Sequence, residues 1–144
     1  MVEQRISFLL NNLVREMNGQ ADALLRRKFE LTYSQFVFLL IIGENHEVDV
    51  TRLALALGVT KGAVSKRLAW FIERGLVSTH QIQGDAKRVV ISLSKKGSAL
   101  AKLSSDFLED EFLRAISKSP KFDQAILRTE LQKMLKLLLV KRTA

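Results

Sequence analysis

Between Asp49 and Gly75 the chain encodes two short helices with almost no room between them, and this pair limits the fold more than any other stretch. Asp49 precedes Val50-Thr51-Arg52-Leu53-Ala54-Leu55-Ala56-Leu57, a run free of glycine and proline that closes on Gly58. An aspartate caps the exposed amides of a first turn, and a glycine accepts the left-handed exit, so the spacing predicts an eight-residue helix. Thr60 then stands where a second helix would be capped, and Gly75 follows Arg74 as its stop. Ala63, Val64, Leu68, Phe71 and Ile72 form one apolar stripe on that second helix, and Lys61, Gly62, Ser65, Lys66 and Ala69 fall off it. Ala54 and Gly58 lie four apart, so a small residue and a sharp turn let the helices cross closely. The expected unit is a helix-turn-helix.

The residues after Gly75 narrow the choice further. Leu76–Ile82 and Val89–Leu93 read as extended segments separated by Gln83-Gly84-Asp85-Ala86-Lys87-Arg88. Val89, Ile91 and Leu93 alternate with Val90 and Ser92, and Gly-Asp marks the turn, which predicts a β-hairpin carrying Lys87 and Arg88 at its tip. Helical spacing dominates elsewhere. Ile6, Leu9, Leu10, Leu13, Met17, Ala21, Leu24 and Leu25 place one stripe on a helix over 3–29, which Gly19 weakens in the middle. Thr32 and Gln35 match a capping box ahead of the apolar Phe36–Ile42. Leu100, Leu103, Phe107, Leu108, Phe112 and Ile116 mark a fifth helix, Ser119-Pro120 breaks it, and a sixth runs from about Phe122 to Val140. The expected fold is mainly α with a small β-hairpin wing: one domain of about six helices, with a winged reading head over 31–97 flanked by dimerisation helices at 1–29 and 98–144.

Charge distinguishes what such a head would meet. The formal net charge is +8 over 144 residues. Residues 52–96 hold nine bases against Glu73 and Asp85, a net +7, whereas residues 1–51 carry −2 and residues 97–144 carry +3. Clustered lysine and arginine favour a polyanion, because neutralising phosphates releases their counterions. The polar face of the second helix offers Lys61, Ser65 and Lys66 near the end that enters a major groove in this motif, with Gly62 between them and Arg67 beside them. Thr60 and its neighbouring amides lie near phosphate in that arrangement. Lys87 and Arg88 suit a narrow minor groove, where negative potential is enhanced.

Other classes find little support. Zero cysteines exclude disulfides and thiolate chemistry, two histidines do not make a metal site alone, and no cofactor motif is present. Glu109-Asp110-Glu111 is the one acidic run; adjacent helical residues diverge, so these acids read as a solvated face rather than a catalytic pair, and no catalytic residues are assigned. No apolar run approaches the roughly 20 residues that cross a bilayer, and the first residues lack a secretory pattern, so a cytoplasmic chain without membrane contact is expected.

Residues 31–97 resemble the winged helix-turn-helix of the MarR family of bacterial transcriptional regulators. Leu31-Thr32 with Gln35-Phe36 resembles the opening of that family's second helix. Asp49–Gly58 with Val59-Thr60-Lys61-Gly62-Ala63-Val64-Ser65 resembles its core, and Gly75-Leu76-Val77, Asp85 and Ser92-Leu93-Ser94-Lys95-Lys96-Gly97 resemble its wing and exit. The family's wing reads Asp-x-Arg. Here Asp85-Ala86-Lys87-Arg88 puts lysine in the arginine's place, which keeps charge but loses the planar fork, so both Lys87 and Arg88 are candidates for the groove. The resemblance implies a homodimeric repressor on a palindromic double-stranded DNA operator. It also implies a small-molecule effector pocket, for which Asn11, Asn12, Arg15 and Tyr33 are the candidate residues. The wide apolar stripes of the first and last helices independently ask for a dimer. The competing readings are a winged-helix protein-interaction module, which needs no basic wing, and an architectural DNA binder without sequence preference.

Overall fold

A computed structural model describes residues 4–140. Its elements in chain order are α1 (Ile6–Phe29), α2 (Tyr33–Asn45), β1 (Val48–Asp49), α3 (Val50–Leu57), α4 (Lys61–Glu73), β2 (Val77–Ile82), β3 (Asp85–Leu93), α5 (Lys95–Ile116) and α6 (Gln124–Val140). They fall into two compact units that divide between Leu108 and Glu109. Among the described residues no helix is long and apolar enough to cross a membrane.

The helix boundaries follow local chemistry. Gln35 N–H donates to the Thr32 hydroxyl at 3.0 Å while the Gln35 side chain accepts from Thr32 N–H at 2.8 Å, so the capping box forms in full. Asp49 Oδ1 accepts from Arg52 N–H and the Thr60 hydroxyl from Ala63 N–H, which starts α3 and α4 where two capping residues stand. At the end of α4, Leu76 N–H reaches Phe71 C=O and Gly75 N–H reaches Ile72 C=O, with Gly75 at φ 67°. That pair of bonds satisfies the last carbonyls and turns the chain into the wing. Gly58, at φ 66°, closes α3 in the same way through Val59 N–H to Ala54 C=O. Gly19 does not interrupt α1, which is continuous across it.

In the first unit Phe38, Leu39 and Ile42 of α2 lie wholly inside with Leu53 of α3, Val64 and Phe71 of α4, and Ile91 of β3. The rings of Phe38 and Phe71 stack nearly parallel, with centroids 4.3 Å apart, and set α4 against α2. Ile72, expected on the apolar stripe of α4, is 47% exposed. The second unit contains the end of α5 and all of α6, and no residue of α6 is buried within the chain.

Two features of the sheet depart from expectation. β1 is a two-residue strand that pairs antiparallel with β3, Val48 opposite Ile91 and Asp49 opposite Val90, giving the order β1-β3-β2. The second departure corrects the wing. The turn lies at Gln83-Gly84, with Gly84 at φ 92°, and Ile82 pairs with Asp85, so Lys87 and Arg88 are not at the tip. The pairing then jumps to Gln81 opposite Val89, which leaves residues 86–88 as extra residues of β3 with no partner on β2. Both cations therefore sit in a bulge on the flank of the hairpin, because the positive φ goes to the glycine and Asp85 is drawn into the ladder.

Candidate nucleic-acid interface

The exposed residues of α4 are Lys61, Gly62, Ser65, Lys66, Arg67, Ala69, Ile72 and Glu73, while Val64, Leu68 and Phe71 face the core. Gly62, Ser65, Lys66 and Ala69 follow helical spacing and form one narrow stripe of three small residues and one cation. Small side chains allow the helix axis close to whatever it meets. Neither Lys61 nor Lys66 has a hydrogen-bond or ion-pair partner among the described residues. The Thr60 hydroxyl, occupied as an acceptor by Ala63 N–H at 3.1 Å, retains its proton for donation outward.

Three arginines of this region, unlike Lys61 and Lys66, are engaged by the protein. Arg67 reaches across to α2 and donates to the Ser34 hydroxyl at 3.3 Å. The Arg74 guanidinium lies 3.9 Å from the centroid of Trp70, the chain's single tryptophan, and donates to the Trp70 carbonyl. Arg88 Nε lies 3.2 Å from Asp49 Oδ2. Lys96 donates to the Arg74 carbonyl at 2.8 Å, so it too serves the exit of α4. The Asp49 carboxyl is held below its ordinary pKa first by the Arg52 amide and then by the Arg88 guanidinium, against the partial burial that pushes it up. Sequence reasoning placed Asp49 as a cap and missed its second bond, whose partner lies 39 residues away.

Wing and helix are fastened together at one point. Ser94 N–H donates to Leu76 C=O, Ser94 Oγ donates to Gly75 C=O, and Gly97 N–H donates to Ser94 Oγ. A Cβ on Gly97 would fall 1.9 Å from the Leu76 carbonyl oxygen, so α5 approaches the end of α4 at a distance only glycine permits. Wing and α4 are thus joined by backbone contacts together with the Ser94 hydroxyl.

The four effector-pocket candidates are not drawn together within one chain. Asn11 is exposed and donates to Ser7 C=O within α1, Asn12 is half-buried, and Arg15 is exposed. Tyr33 N–H is bound to Asp22, seven residues past Arg15, which is about 10 Å along the helix axis. His80 is exposed, with Nε2 3.7 Å from Glu47 Oε1, and His46 ends α2 at φ 58°.

This arrangement of capped α3, tight turn, small-faced α4 and fastened hairpin coincides with a known pattern. Residues 29–88 match the family model described as MarR family. The organic hydroperoxide resistance transcriptional regulator of Bacillus subtilis is 30% identical over 105 residues, covering 73% of this chain and 71% of that one. The chain belongs to the MarR family. As a member of that family it is a winged-helix, DNA-binding transcriptional regulator. The fold extends over nearly the whole chain: the multiple antibiotic resistance repressor MarR superposes with a TM-score of 0.82 at 20% identity, over 91% of this chain and 95% of that one. Streptococcus pneumoniae FabT, solved in complex with DNA, superposes with a TM-score of 0.74 at 20% identity, over 94% and 96%.

Proposed function

We propose that this MarR-family chain works in the cytoplasm as a homodimeric repressor on a palindromic operator, without catalytic activity. The observation that carries the DNA-facing part is that Lys61 and Lys66 of α4 and Lys87 of the wing have no side-chain partner among the described residues, while Gly62, Ser65 and Ala69 are exposed on α4. Lys61, Ser65 and Lys66 read base edges in the major groove, Thr60 with the first amides of α4 holds phosphate, and the wing engages the adjacent minor groove. Arg67 contributes at the flank, next to Ser34 at the start of α2.

Exposed apolar surface supports the dimer. Ile6, Leu9, Leu13 and Val14 of α1 are each at least half exposed, and so are Leu135, Leu137, Leu138, Leu139 and Val140 of α6. A soluble regulator does not leave such runs in water, and a second copy covers them with the same residues by two-fold symmetry. The effector reading assigns Asn11, Asn12, Arg15 and Tyr33 to a small-molecule site; their separation within one chain requires surfaces beyond those four to complete it.

Selection of bound sequences from a random duplex pool tests this reading. The expected product is an inverted repeat whose half-sites lie about one helical turn apart, bound with steep salt dependence. Recovery of unselected sequence would leave only an architectural role, and a 16.3 kDa species in analytical ultracentrifugation at micromolar concentration would remove the dimer.

A further inference from the structure

Of the wing's two adjacent cations, one is tied to the protein and the other is not. Arg88 reaches Asp49 Oδ2, and the same carboxylate uses Oδ1 to cap α3 through Arg52 N–H at 2.8 Å. Backbone pairing of Asp49 with Val90 repeats the connection two residues further along β3. Asp49 therefore joins three things: the first turn of α3, the edge strand β1 and the bulge of the wing. The Lys87 ammonium has no partner among the described residues; only its backbone N–H is engaged, donating to Asp85 Oδ1 at 3.2 Å.

We propose that Arg88 is a positioning residue, which fixes the wing against the start of α3 through Asp49, and that Lys87 is the side chain the wing delivers to DNA. This rests on the DNA-binding reading above. An arginine paired with a carboxylate presents almost no net charge, and reaching a phosphate would require giving up that pair. A lysine in the same bulge gives up nothing in the protein. The bulge is what makes the division possible, because three extra residues on β3 let neighbouring side chains leave the ladder while Val89 rejoins it. The family-like spacing Asp85-x-Lys87 and the neighbouring arginine therefore have different tasks, one outward and one inward.

The test uses the full chain and a duplex it selects from a random pool, with affinity measured across a salt series. Lys87→Ala lowers the slope of log K against log salt by roughly 0.9 for each wing engaged. Arg88→Ala keeps the wild-type slope and loses about two- to fivefold in affinity, the span of an exposed ion pair. Asp49→Asn keeps an oxygen to cap α3 but removes the charge, and is expected to match Arg88→Ala. The double variant loses no more than either single one, and Arg88→Lys recovers part of the affinity. A drop in slope for Arg88→Ala equal to that of Lys87→Ala would overturn the assignment, as would wild-type affinity for Asp49→Asn. If the wild-type chain selects no sequence and binds without salt dependence, the DNA-binding reading itself fails, an outcome separate from both.

Discussion

Replacing Gly97 by alanine tests whether the fastening between α4, the wing and α5 is structural. The added Cβ would lie 1.9 Å from the Leu76 carbonyl oxygen and 2.9 Å from its carbon. Real contacts of this kind lie beyond 3 Å, so backbone must move by more than 1 Å, and no flexible side chain can give way in its place. The movement strains two hydrogen bonds that share this corner, Ser94 N–H to Leu76 C=O and Gly97 N–H to Ser94 Oγ, each 3.0 Å long. Overpacking costs about 1 to 3 kcal/mol and the two weakened hydrogen bonds about 1 kcal/mol each, for a total of about 3 to 5 kcal/mol. At about 2 to 4 °C per kcal/mol for a chain of this size, the midpoint of thermal unfolding falls by about 6 to 20 °C. Gly19→Ala is the control. It lies inside α1 with nothing within 4 Å of its added Cβ, and should raise the midpoint slightly, by the roughly 0.5 to 1 kcal/mol that separates the residues in helices. Differential scanning calorimetry on both variants decides the matter. A Gly97→Ala midpoint within about 2 °C of wild type, less than the shift of a single kcal/mol, would show that the corner yields freely and that the wing's orientation has another source.

Three single contacts carry further expected outcomes. Phe71→Ala removes the ring stacked on Phe38 and should cost about 3 to 5 kcal/mol in urea unfolding; a loss under about 1 kcal/mol would mean that α2 and α4 close over the gap. Thr60→Ala removes the cap of α4 and should cost about 1 kcal/mol by the same measurement, whereas Thr60→Ser should cost far less because the hydroxyl is kept. Asp22 has its pKa lowered, first by Tyr33 N–H and then by Arg26; its stabilising effect is therefore complete above the ordinary carboxylate value and fades as pH falls through the lower folded one. Asp22→Asn should accordingly show a shallower loss of stability below about pH 4 than wild type, and parallel pH profiles would refute the linkage.

Local sequence carried the helices well, because their ends depend on residues three or four apart. The Thr32–Gln35 box, the Asp49 and Thr60 caps and the Gly58 and Gly75 exits all follow from such spacing, and each is present. What local reading missed depends on distant partners. Gln83-Gly84-Asp85 permits a turn at either pair, and the choice falls to the register that places Ile82 opposite Asp85. Val48-Asp49 has no periodicity to reveal a strand; only β3 makes it one. The Asp49–Arg88 pair and the contact of Gly97 with Leu76 join residues 39 and 21 positions apart, beyond the reach of spacing rules. For the candidate interface, the outward residues of α4 followed from the apolar stripe except at Ile72, which is exposed, but which cations were free did not.

That distinction changes how the +7 of residues 52–96 acts. Arg67, Arg74 and Arg88 are engaged by Ser34, Trp70 and Asp49, and Lys96 by the Arg74 carbonyl, whereas Lys61, Lys66, Lys87, Lys95 and the exposed Arg52 of α3 make no side-chain hydrogen bond or ion pair among the described residues. Arginine suits internal work, since its planar fork makes several directed bonds and stacks on an indole, and lysine suits a phosphate because a compact charge needs no fixed approach. On α4 and the wing the free cations are lysines, which give affinity and salt dependence more readily than base discrimination, since no unengaged arginine of those two elements offers guanine a bidentate fork. On the proposed DNA-binding reading, discrimination by α4 then rests on shape: Gly62, Ser65 and Ala69 would let its backbone approach the bases, where Ser65 selects by hydrogen bond and a poor fit excludes. The glycine at position 97 and the Asp49–Arg88 pair matter for the same reason, because reading by fit requires that helix and wing hold one fixed relation to each other.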